Sequence, residues 1–428
     1  MQIVIAHSHL NPGGVTRIIE SQIKSLLGNE ITVLVGNATN PDDITQLGAK
    51  LVIIPELNYL ENRKYPDQEA RELLYKIHSS IKKHLNDNTI LHFHNLNLGK
   101  NPIVTYAVYL LAKEGYKVFN HAHDFAEDRP SNLQFLKDII EGNFWQKLDE
   151  VLYPKIKNYN YGVLNSFDFK RLITYGVAEK RIEWLPNPVT FSARLDIDDK
   201  QSAKQNICQK LKLDTRKLLV TYPVRVIQRK NIGEFILLAV LFSDVANFVV
   251  TQPPQNPVEI ELYKKWLQFC DKERINIVFE AGTKVNFEEL LIGSDYCITT
   301  SYKEGFGMVY LEPWLLNTPV VGRDIDFISK DFRDDGFYFP ALYKTVQVKG
   351  LKGDFKDFGM EIQMKIISDV NNKLIEKDDI FNQNPVFSSL FKKVSTQMIE
   401  INKTVINSKY SLKGYGNKLQ KRYKILVG

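Results

Sequence analysis

The sequence has few of the features that mark secreted, membrane-spanning or zinc-binding proteins. Its 428 residues include only three cysteines, Cys208, Cys270 and Cys297, with no CxxC pair and no cluster with histidine. No run approaches eighteen apolar residues, and the first residues, MQIVIAH, lack the charged start and apolar core of a signal peptide. We therefore expect free thiols in a reducing cytoplasm, without a zinc site or a membrane span.

The sequence also lacks a strong excess of either charge. A formal net charge of +6 is too weak to indicate a nucleic-acid partner, and 44% hydrophobic residues suffice for two folded cores. The charge is uneven, because nine Lys and Arg residues from Lys392 onward face one acidic residue, Glu400. A solvated helix face and a docking patch for anionic lipid both explain this basic tail. We therefore expect a cytoplasmic protein and leave open peripheral contact with the inner face of the membrane.

Apolar runs of strand length alternate with segments of helical period, which predicts βαβ units and parallel sheets. The predicted strands are 2–7, 31–36, 50–57, 89–95, 116–124, 149–154 and 161–166, then 217–225, 247–252, 275–282, 294–301 and 318–324. The composition shifts to polar residues at 195–206, after LPNPV. We predict two doubly wound α/β domains, 1–195 and 196–403, with a final helix over about 404–428 that packs back on the first.

Two glycines follow the first predicted strand. The stretch HSHLNPGGVTR (7–17) indicates a strand, a loop with Gly13 and Gly14, and the start of a helix. Adjacent glycines allow close backbone approach, and the N–H groups of a helix start suit anions. The spacing is not GxGxxG, so it does not indicate a dinucleotide site or a dehydrogenase. A plain tight turn and a phosphate-binding loop both fit.

Basic residues end the first strand of the second predicted domain. In VRVIQRKN (224–231), Arg225 and Lys230 stand five apart, with Arg229 between them. Ligands of parallel sheets bind at the carboxyl ends of strands, where cations can converge on a diphosphate and stabilise it as a leaving group. A solvated basic loop is the alternative.

Histidines end two predicted strands of the first domain. His92 and His94 end one strand, and His121 and His123 end the next. A metal site would need a third ligand, and none lies within sequence reach of either pair, so we predict no metal site. We expect His123 to serve as a polar contact or proton shuttle at the strand end.

Two glutamates enclose a glycine pair in KEGFGMVYLE (303–312). The glycines predict a loop and then a helix from about Gly307, whose first N–H groups would face phosphate. Glu304 precedes this helix, whereas Glu312 would lie about one and a half turns into it, among apolar neighbours. A carboxylate in that setting is a good partner for the two vicinal hydroxyls of a ribose.

In this order, these segments resemble the retaining glycosyltransferases of family 4, the glycogen-synthase-like type. The resemblance runs through NPGGVTR, HAHD, VLNS with YGVAEKRIEWLPNPV, VR with RK, and EAG to the E-x7-E of Glu304 and Glu312. Its specific part is the E-x7-E around GFG, preceded by Arg225 and Lys230. It implies an α/β protein with the GT-B fold, in which two Rossmann-like doubly wound domains face each other across a cleft.

The resemblance implies a role for each matching residue. Arg225 and Lys230 match the pair that holds the donor's diphosphate, and Glu304 matches the group that grips the transferred sugar. His123 matches the histidine near the sugar ring, and Glu312 matches the glutamate that binds the ribose hydroxyls. We therefore expect Glu304, His123, Arg225 and Lys230 to form the catalytic set.

The implied donor-binding set is larger. Besides Arg225, Lys230 and Glu304 it comprises Gly13, Gly14, Gly282, Val285, Gly305, Phe306, Gly307, Met308, Val309 and Glu312. Gly13 and Gly14 would close over phosphate and acceptor, and residues 282–285 would pack on the nucleobase. Acceptor contacts are expected in 125–145, where Glu127, Asp128 and Arg129 would meet a polar acceptor.

The resemblance implies transfer of a hexosyl group, with retention, from a UDP- or GDP-sugar to a hydroxyl of a glycan, lipid-linked sugar or small polar molecule. Similar enzymes need no cofactor and no metal, since the cation pair takes the metal's place. Their leaving diphosphate assists deprotonation of the acceptor, so we expect no protein nucleophile. The DxD tripeptides at 196–198 and 324–326 are poor metal candidates, because the first falls in the linker and the second has no accompanying ligands.

Departures from the family pattern and rival functions leave part of this prediction open. TYPVR (221–225) replaces the usual glycine-preceded GR, and PNPV (186–189) stands where PNGV is usual. A GT-B phosphorylase or a sugar-nucleotide epimerase would use the same cleft. An idle sugar-nucleotide-binding subunit would keep the fold, although such relatives usually lose part of the charged set that is complete here. The sugar, the base, the acceptor and the oligomeric state stay open.

Overall fold

The computed structural model describes residues 1–191 and 200–428, which form two compact units. The first unit comprises Met1–Pro188 with Tyr410–Gly428, and the second comprises Val189–Lys409. The predicted boundary between residues 195 and 196 and the tripeptide Asp196-Ile197-Asp198 lie outside the described residues.

A parallel seven-stranded sheet forms the centre of the first unit. Its strands are β1 (Gln2–Leu10), β2 (Glu30–Ala38), β3 (Lys50–Ile53), β4 (Thr89–His94), β5 (Lys117–Ala122), β6 (Tyr159–Val163) and β7 (Ile182–Trp184). They lie in the order β3-β2-β1-β4-β5-β6-β7. The strand order reverses between β1 and β4, which is where doubly wound sheets bind ligands.

A parallel six-stranded sheet forms the centre of the second unit. Its strands are β8 (Leu218–Arg225), β9 (Ala246–Gln252), β10 (Ile277–Val278), β11 (Tyr296–Thr299), β12 (Val320–Arg323) and β13 (Leu342–Tyr343). They lie in the order β10-β9-β8-β11-β12-β13, so this order reverses between β8 and β11.

Helices connect the strands in both units. The first unit contains α1 (Gly14–Ser25), α2 (Pro41–Gln46), α3 (Asp67–Lys82), α4 (Pro102–Lys113), α5 (Pro130–Lys137), α6 (Leu148–Leu152) and α7 (Ser166–Thr174). The second contains α8 (Lys200–Leu211), α9 (Ile232–Leu241), α10 (Pro257–Lys272), α11 (Phe287–Gly293), α12 (Glu312–Leu315), α13 (Asp326–Asp334), α14 (Met360–Asn371), α15 (Lys377–Gln383) and α16 (Thr396–Lys409). The last helix, α17 (Leu412–Val427), belongs to the first unit. Asparagine side chains accept from the first free N–H groups of four helices, at Asn101, Asn165, Asn256 and Asn286.

The two faces of the first sheet bury different helices. Val4 and Leu91 belong to a core with residues of α3 and α4, whereas Ile3 and Ile5 belong to one with α1 and α17. This division follows from the alternation of side chains along a strand. The close approach of α17 to α1 requires Gly416, where a Cβ atom would lie 2.5 Å from the Ser25 carbonyl oxygen.

The predicted fold class, two doubly wound parallel sheets, is confirmed. The strand predicted over 149–154 is wrong, because this segment contains α6. Its first turn carries Asp149 and Glu150, where the partial positive charge of a helix start favours carboxylates.

Candidate active site

Arg225 ends β8 beside an irregularity in the sheet. Tyr222 pairs with Val250 and Arg225 pairs with Gln252, so three steps along β8 correspond to two along β9. Pro223 lies inside this bulge, where a residue without an N–H group is tolerated. The replacement of glycine in TYPVR thus coincides with a local change of strand geometry.

The guanidinium of Arg225 is half-buried and has no ion-pair partner in the part of the chain that the structure describes. Its Nε is shielded from solvent and makes no hydrogen bond, and no carboxylate within residues 1–191 and 200–428 forms an ion pair with it. Buried donors in proteins are normally satisfied. An anionic ligand at the end of β8 would supply the missing acceptors.

Glu304, in the loop after β11, joins two cations from the loop after β8. Lys230 Nζ contacts its Oε1, and Arg229 Nη1 donates to its Oε2 at 2.7 Å. The side chains of Glu304 and Lys230 are only 8% and 12% exposed. Because β8 and β11 are neighbours in the sheet, residues 74 positions apart in the chain meet here.

The charges of this cluster determine its ionisation. Burial by itself would raise the pKa of the Glu304 carboxyl, but the charges of Lys230 and Arg229 outweigh it and bring the pKa down to about 2. Burial lowers the pKa of Lys230 from its ordinary value, against the attraction of Glu304. Glu304 is therefore ionised at neutral pH. An ammonium group has three donors, so Lys230 can hold Glu304 and a phosphate oxygen together.

Hydroxyl groups fix the two loops to each other. Tyr222 Oη donates to the Lys230 carbonyl at 2.9 Å and lies 2.7 Å from Ser301 Oγ. Thr300 Oγ1 donates to the same carbonyl at 3.0 Å. The position of Lys230 is thus defined by buried residues of β8 and of the segment after β11.

A buried charge network supports the loop from α9 and β12. Arg323, 2% exposed, pairs with both Glu234 and Asp354. Glu234 also accepts from Asn231 Nδ2 at 2.8 Å. Asn231 follows Lys230 directly and has a left-handed backbone conformation, with φ 52°. Sequence reasoning missed this network, although a glutamate inside the apolar helix IGEFILLAVL signals it.

The turn after Glu304 requires glycine at Gly307. Its φ is 86°, and a Cβ atom there would lie 2.8 Å from the Tyr310 ring and 2.9 Å from Ile328. Phe306 is buried, with its ring edge-to-face against Phe332 at a centroid distance of 5.5 Å. Gly305 lies half-buried between Glu304 and Phe306.

The helix predicted from about Gly307 is wrong in its extent. A 3-10 turn, Met308–Tyr310, contains Met308 and Val309, and α12 begins only at Glu312. Pro313 favours such a start, because its missing N–H group has no partner in the first turn of a helix. Glu312 is therefore the half-buried first residue of a four-residue helix.

Gly282 and Val285 follow β10 and lie close to β9. A Cβ atom at Gly282 would lie 2.9 Å from the Thr251 carbonyl oxygen, and Val285 is buried. Packing within the unit therefore explains this glycine. Contact with a nucleobase stays a prediction.

Gly13 and Gly14, in the first unit, differ from Gly282 in that little lies close to them. Both are exposed at the start of α1, and Gly13 has an extended backbone with φ 178°. The nearest atom to a Cβ on Gly13 would be 3.7 Å away, and Gly14 has none within 4 Å. Packing within the unit does not require these glycines, and their contact with phosphate or acceptor stays a prediction.

His123, just after β5, belongs to a buried cluster with His92 and His94 of β4 and His121 of β5. His94 Nδ1 lies 2.9 Å from His123 Nε2, and His92 Nε2 lies 3.3 Å from His121 Nδ1. Burial lowers the pKa of His123 to about 4, so it is neutral at pH 7. One ring nitrogen each of His92, His94 and His121 lies within 4.8 Å of the others. The third ligand that sequence reasoning found missing thus comes from the adjacent strand.

The acceptor-side residues have partners inside the first unit. Glu127 accepts from Tyr153 Oη, and Asp128 pairs with Arg171 through two hydrogen bonds of 3.1 Å. Arg129 donates to Asp124 at 3.0 Å. Their role towards an acceptor stays a prediction.

Two further predictions concern charged residues outside the cluster around Glu304. In the DxD at 324–326, Asp324 pairs with Arg333 at 2.7 Å and Asp326 with Lys344 at 2.9 Å. In the basic tail, Arg422 pairs with Glu183 at 2.6 Å. Over the described part of the chain, none of the helices has the length and apolar character needed to cross a bilayer.

Comparison with solved structures defines the fold of the chain. WaaG, a glycosyltransferase involved in lipopolysaccharide biosynthesis, matches with a TM-score of 0.60 and 15% identity over 99% of both chains. HepE of Anabaena, crystallised with UDP-glucose, matches with a TM-score of 0.63 and 12% identity over 98% of both chains. With the two doubly wound sheets, these likenesses show that the chain has the GT-B fold of glycosyltransferases.

Two relatives from Petrotoga mobilis have names that state which compound they synthesise. The chain is 28% identical to mannosylglucosyl-3-phosphoglycerate synthase over 397 residues, 88% of this chain and 75% of that protein. It is 23% identical to mannosylglucosylglycerate synthase over 311 residues, 66% of this chain and 70% of that protein. No protein-family model matches the sequence. Fold and relatives together support glycosyltransferase activity, while membership of family 4 stays a prediction.

Proposed function

We propose that this chain is a retaining glycosyltransferase that moves a hexosyl group from a UDP- or GDP-sugar to a hydroxyl of a small polar acceptor, without a metal. One observation carries the proposal. Two features occur at the carboxyl ends of neighbouring strands of one parallel sheet: a guanidinium with no ion-pair partner among the described residues, Arg225, and a largely shielded ammonium–carboxylate pair, Lys230 and Glu304.

This arrangement suits a nucleotide-sugar donor. Breaking the bond from the sugar to the diphosphate builds negative charge on the leaving group, which fixed cations stabilise. A guanidinium binds phosphate oxygens through paired hydrogen bonds, and an ammonium adds a point charge. Glu304 would accept hydrogen bonds from hydroxyls of the transferred sugar, and Glu312 would accept them from the ribose.

The names of the two relatives support a choice of substrates. Both products contain mannosyl, glucosyl and glycerate parts, with a phosphate in the first. We therefore propose a mannosyl donor and a small acidic acceptor, a glucosylated glycerate or phosphoglycerate. Other glycans and lipid-linked sugars are the alternatives that the experiment must separate.

The experiment is a transfer assay with the purified full chain in EDTA. GDP-mannose, UDP-glucose, UDP-galactose and UDP-N-acetylglucosamine are each offered with glucosyl-3-phosphoglycerate, glucosylglycerate and inorganic phosphate. We expect one donor to give a product of added hexose mass, with the anomeric configuration of the donor retained by NMR.

The assay can also give results that reject one part of the proposal. Strict dependence on added metal contradicts the metal-free mechanism, and an inverted anomer contradicts retention. Release of a sugar phosphate only with inorganic phosphate indicates a phosphorylase. Donor binding without turnover for any acceptor indicates an idle binding subunit.

A further inference from the structure

A connected series of polar side chains is buried between the first sheet and helices α1 and α17. It links histidines that lie in β4, in β5 and just after β5 to residues of both helices. None of its members is more than 7% exposed. In order, the members are His123, His94, Gln22, Tyr423, His92 and His121. We call this series the histidine chain.

Gln22 sets the proton positions on one side of the histidine chain, because an amide nitrogen only donates and an amide oxygen only accepts. Its Nε2 donates to Tyr423 Oη at 2.9 Å, so its Oε1 accepts from His94 Nε2 at 2.8 Å. A neutral imidazole carries one proton, so His94 Nδ1 is an acceptor. It accepts from His123 Nε2 at 2.9 Å.

The other side follows by the same reasoning. The Tyr423 hydroxyl already accepts from Gln22, so its own proton points to His92 Nδ1 at 2.5 Å. His92 then carries its proton on Nε2 and donates to His121 Nδ1 at 3.3 Å. The series ends at His121 Nε2, a buried N–H group without a hydrogen-bond partner in the described parts of the chain.

We propose that His94, Gln22 and Tyr423 are positioning residues that hold His123 in its Nε2–H tautomer and leave its Nδ1 as a hydrogen-bond acceptor. Each hydrogen bond determines the tautomer of the next ring. A substitution of Tyr423 in α17 would therefore alter the tautomer of His123, although the two residues are not in direct contact. The proposal rests on the proposed function in one respect, which is that Nδ1 accepts from a hydroxyl of the transferred sugar.

The geometry favours this assignment over a metal ion at His92, His94 and His121. Within the histidine chain each of their three acceptor nitrogens already receives a hydrogen bond. A metal ion would have to displace these hydrogen bonds, because each acceptor nitrogen of an imidazole has a single lone pair.

The test uses two tyrosines of the same helix. Tyr423→Phe removes the hydroxyl that orients Gln22. Tyr415→Phe is the matched control, because Tyr415 is also buried on α17 and its hydroxyl makes no hydrogen bond to any described residue. The full chain is labelled with ¹⁵N-histidine, and NMR shifts identify the protonated nitrogen of each ring. His123→Gln assigns the signals of His123.

We expect His123 to be the Nε2–H tautomer in the wild type and in Tyr415→Phe. In Tyr423→Phe the ratio of its two tautomers should shift by roughly fivefold to tenfold, the ratio that one ordinary hydrogen bond maintains. The proposal is overturned by an Nδ1–H tautomer in the wild type, or by equal tautomer ratios in the two variants. It is also overturned by stoichiometric Zn²⁺ binding that moves the His92 and His94 signals.

A second measurement connects the histidine chain to transfer. With the active donor, Tyr423→Phe should lower kcat/KM by roughly tenfold and leave the affinity for the free nucleoside diphosphate unchanged. Unchanged kcat/KM would refute the role of His123 Nδ1 in sugar contact. If no donor is transferred at all, the proposed function fails, whereas the NMR result still decides whether the histidine chain sets the tautomer.

Discussion

Lys230 and Glu304 are 74 positions apart in the chain, yet their charged groups are in direct contact and largely shielded from solvent. Arg229 adds a second cation to the same carboxylate, while Arg225, at the end of the same strand, has no carboxylate of its own among the described residues. The cluster therefore combines two cations that already pair with Glu304 and a further cation that is available to an anion. This division leads to separate predictions for binding, turnover and stability.

Glu304→Ala is expected to abolish transfer, with kcat lowered by at least about 100-fold, because a charged group at the reacting sugar is lost. Steady-state kinetics with the active donor measure the effect. Glu361→Ala, on the exposed side of α14, is the control and should keep wild-type rates. A Glu304→Ala enzyme with normal kcat would remove this residue from the catalytic set.

Glu304 should also make the stability of the second unit depend on pH. Folding lowers the pKa of its carboxyl from 4.5 to about 2, so its stabilisation is complete above about pH 4.5 and is lost as the pH falls towards 2. This difference corresponds to about 3 kcal/mol. We expect Glu304→Gln to lower the urea unfolding midpoint clearly at pH 6 and less at pH 3. An equal loss at both pH values would show that the carboxylate's charge is not responsible.

Arg225→Ala should weaken nucleoside diphosphate binding by about 10- to 100-fold, as expected for a lost charge-assisted hydrogen bond. Its melting temperature should stay within experimental error of the wild type, because no ion pair within residues 1–191 and 200–428 is broken. Isothermal titration and thermal unfolding measure the two effects. Arg216→Ala, an exposed arginine paired with Asp214, is the control for binding. Normal diphosphate affinity in Arg225→Ala would refute the assignment.

Glu312→Ala should mainly weaken donor binding. If its carboxylate binds the ribose equally in the ground state and the transition state, KM for the donor rises by roughly tenfold and kcat changes little. The comparison with Glu304→Ala is the internal control, since the two variants should affect different constants. A large fall in kcat with normal KM would place Glu312 at the reacting sugar instead.

Arg323→Met should destabilise the second unit by about 3–5 kcal/mol, because it leaves Glu234 and Asp354 buried without their cation. Lys330→Met removes a cation from Asp334, in a pair whose two side chains are each 59% exposed, and should cost less than about 1 kcal/mol. Urea unfolding of both variants measures the contrast. Similar losses would indicate that burial of the network does not determine its strength.

Much of the fold was predictable because it rests on local patterns. Alternating strand and helix periods predicted two doubly wound parallel sheets, and these are present. The exceptions have local physical causes. Helix α6 replaces a predicted strand where two carboxylates favour a helix start, and Pro313 delays α12 to Glu312.

The candidate site was only partly predictable. Residues at the ends of strands, such as Arg225, Lys230 and Glu304, stand out because a parallel sheet places all its carboxyl ends at one edge. Other buried residues do not stand out in the sequence, because their partners lie up to 401 positions away. They are Glu234, Arg323, Gln22 and Tyr423.

The sequence by itself therefore determined the α/β class, the strand ends that carry the charged residues, and the segments that resemble glycosyltransferases. Only the tertiary structure decided that Glu304 contacts Lys230 and Arg229, that Arg225 has no ion pair with another described residue, and that four histidines join Gln22 and Tyr423. Periodicity and turn residues act over a few positions and can be read along the chain. Which strands become neighbours, and which helix covers them, depends on packing of the whole unit, and these contacts set the charges and tautomers of the site.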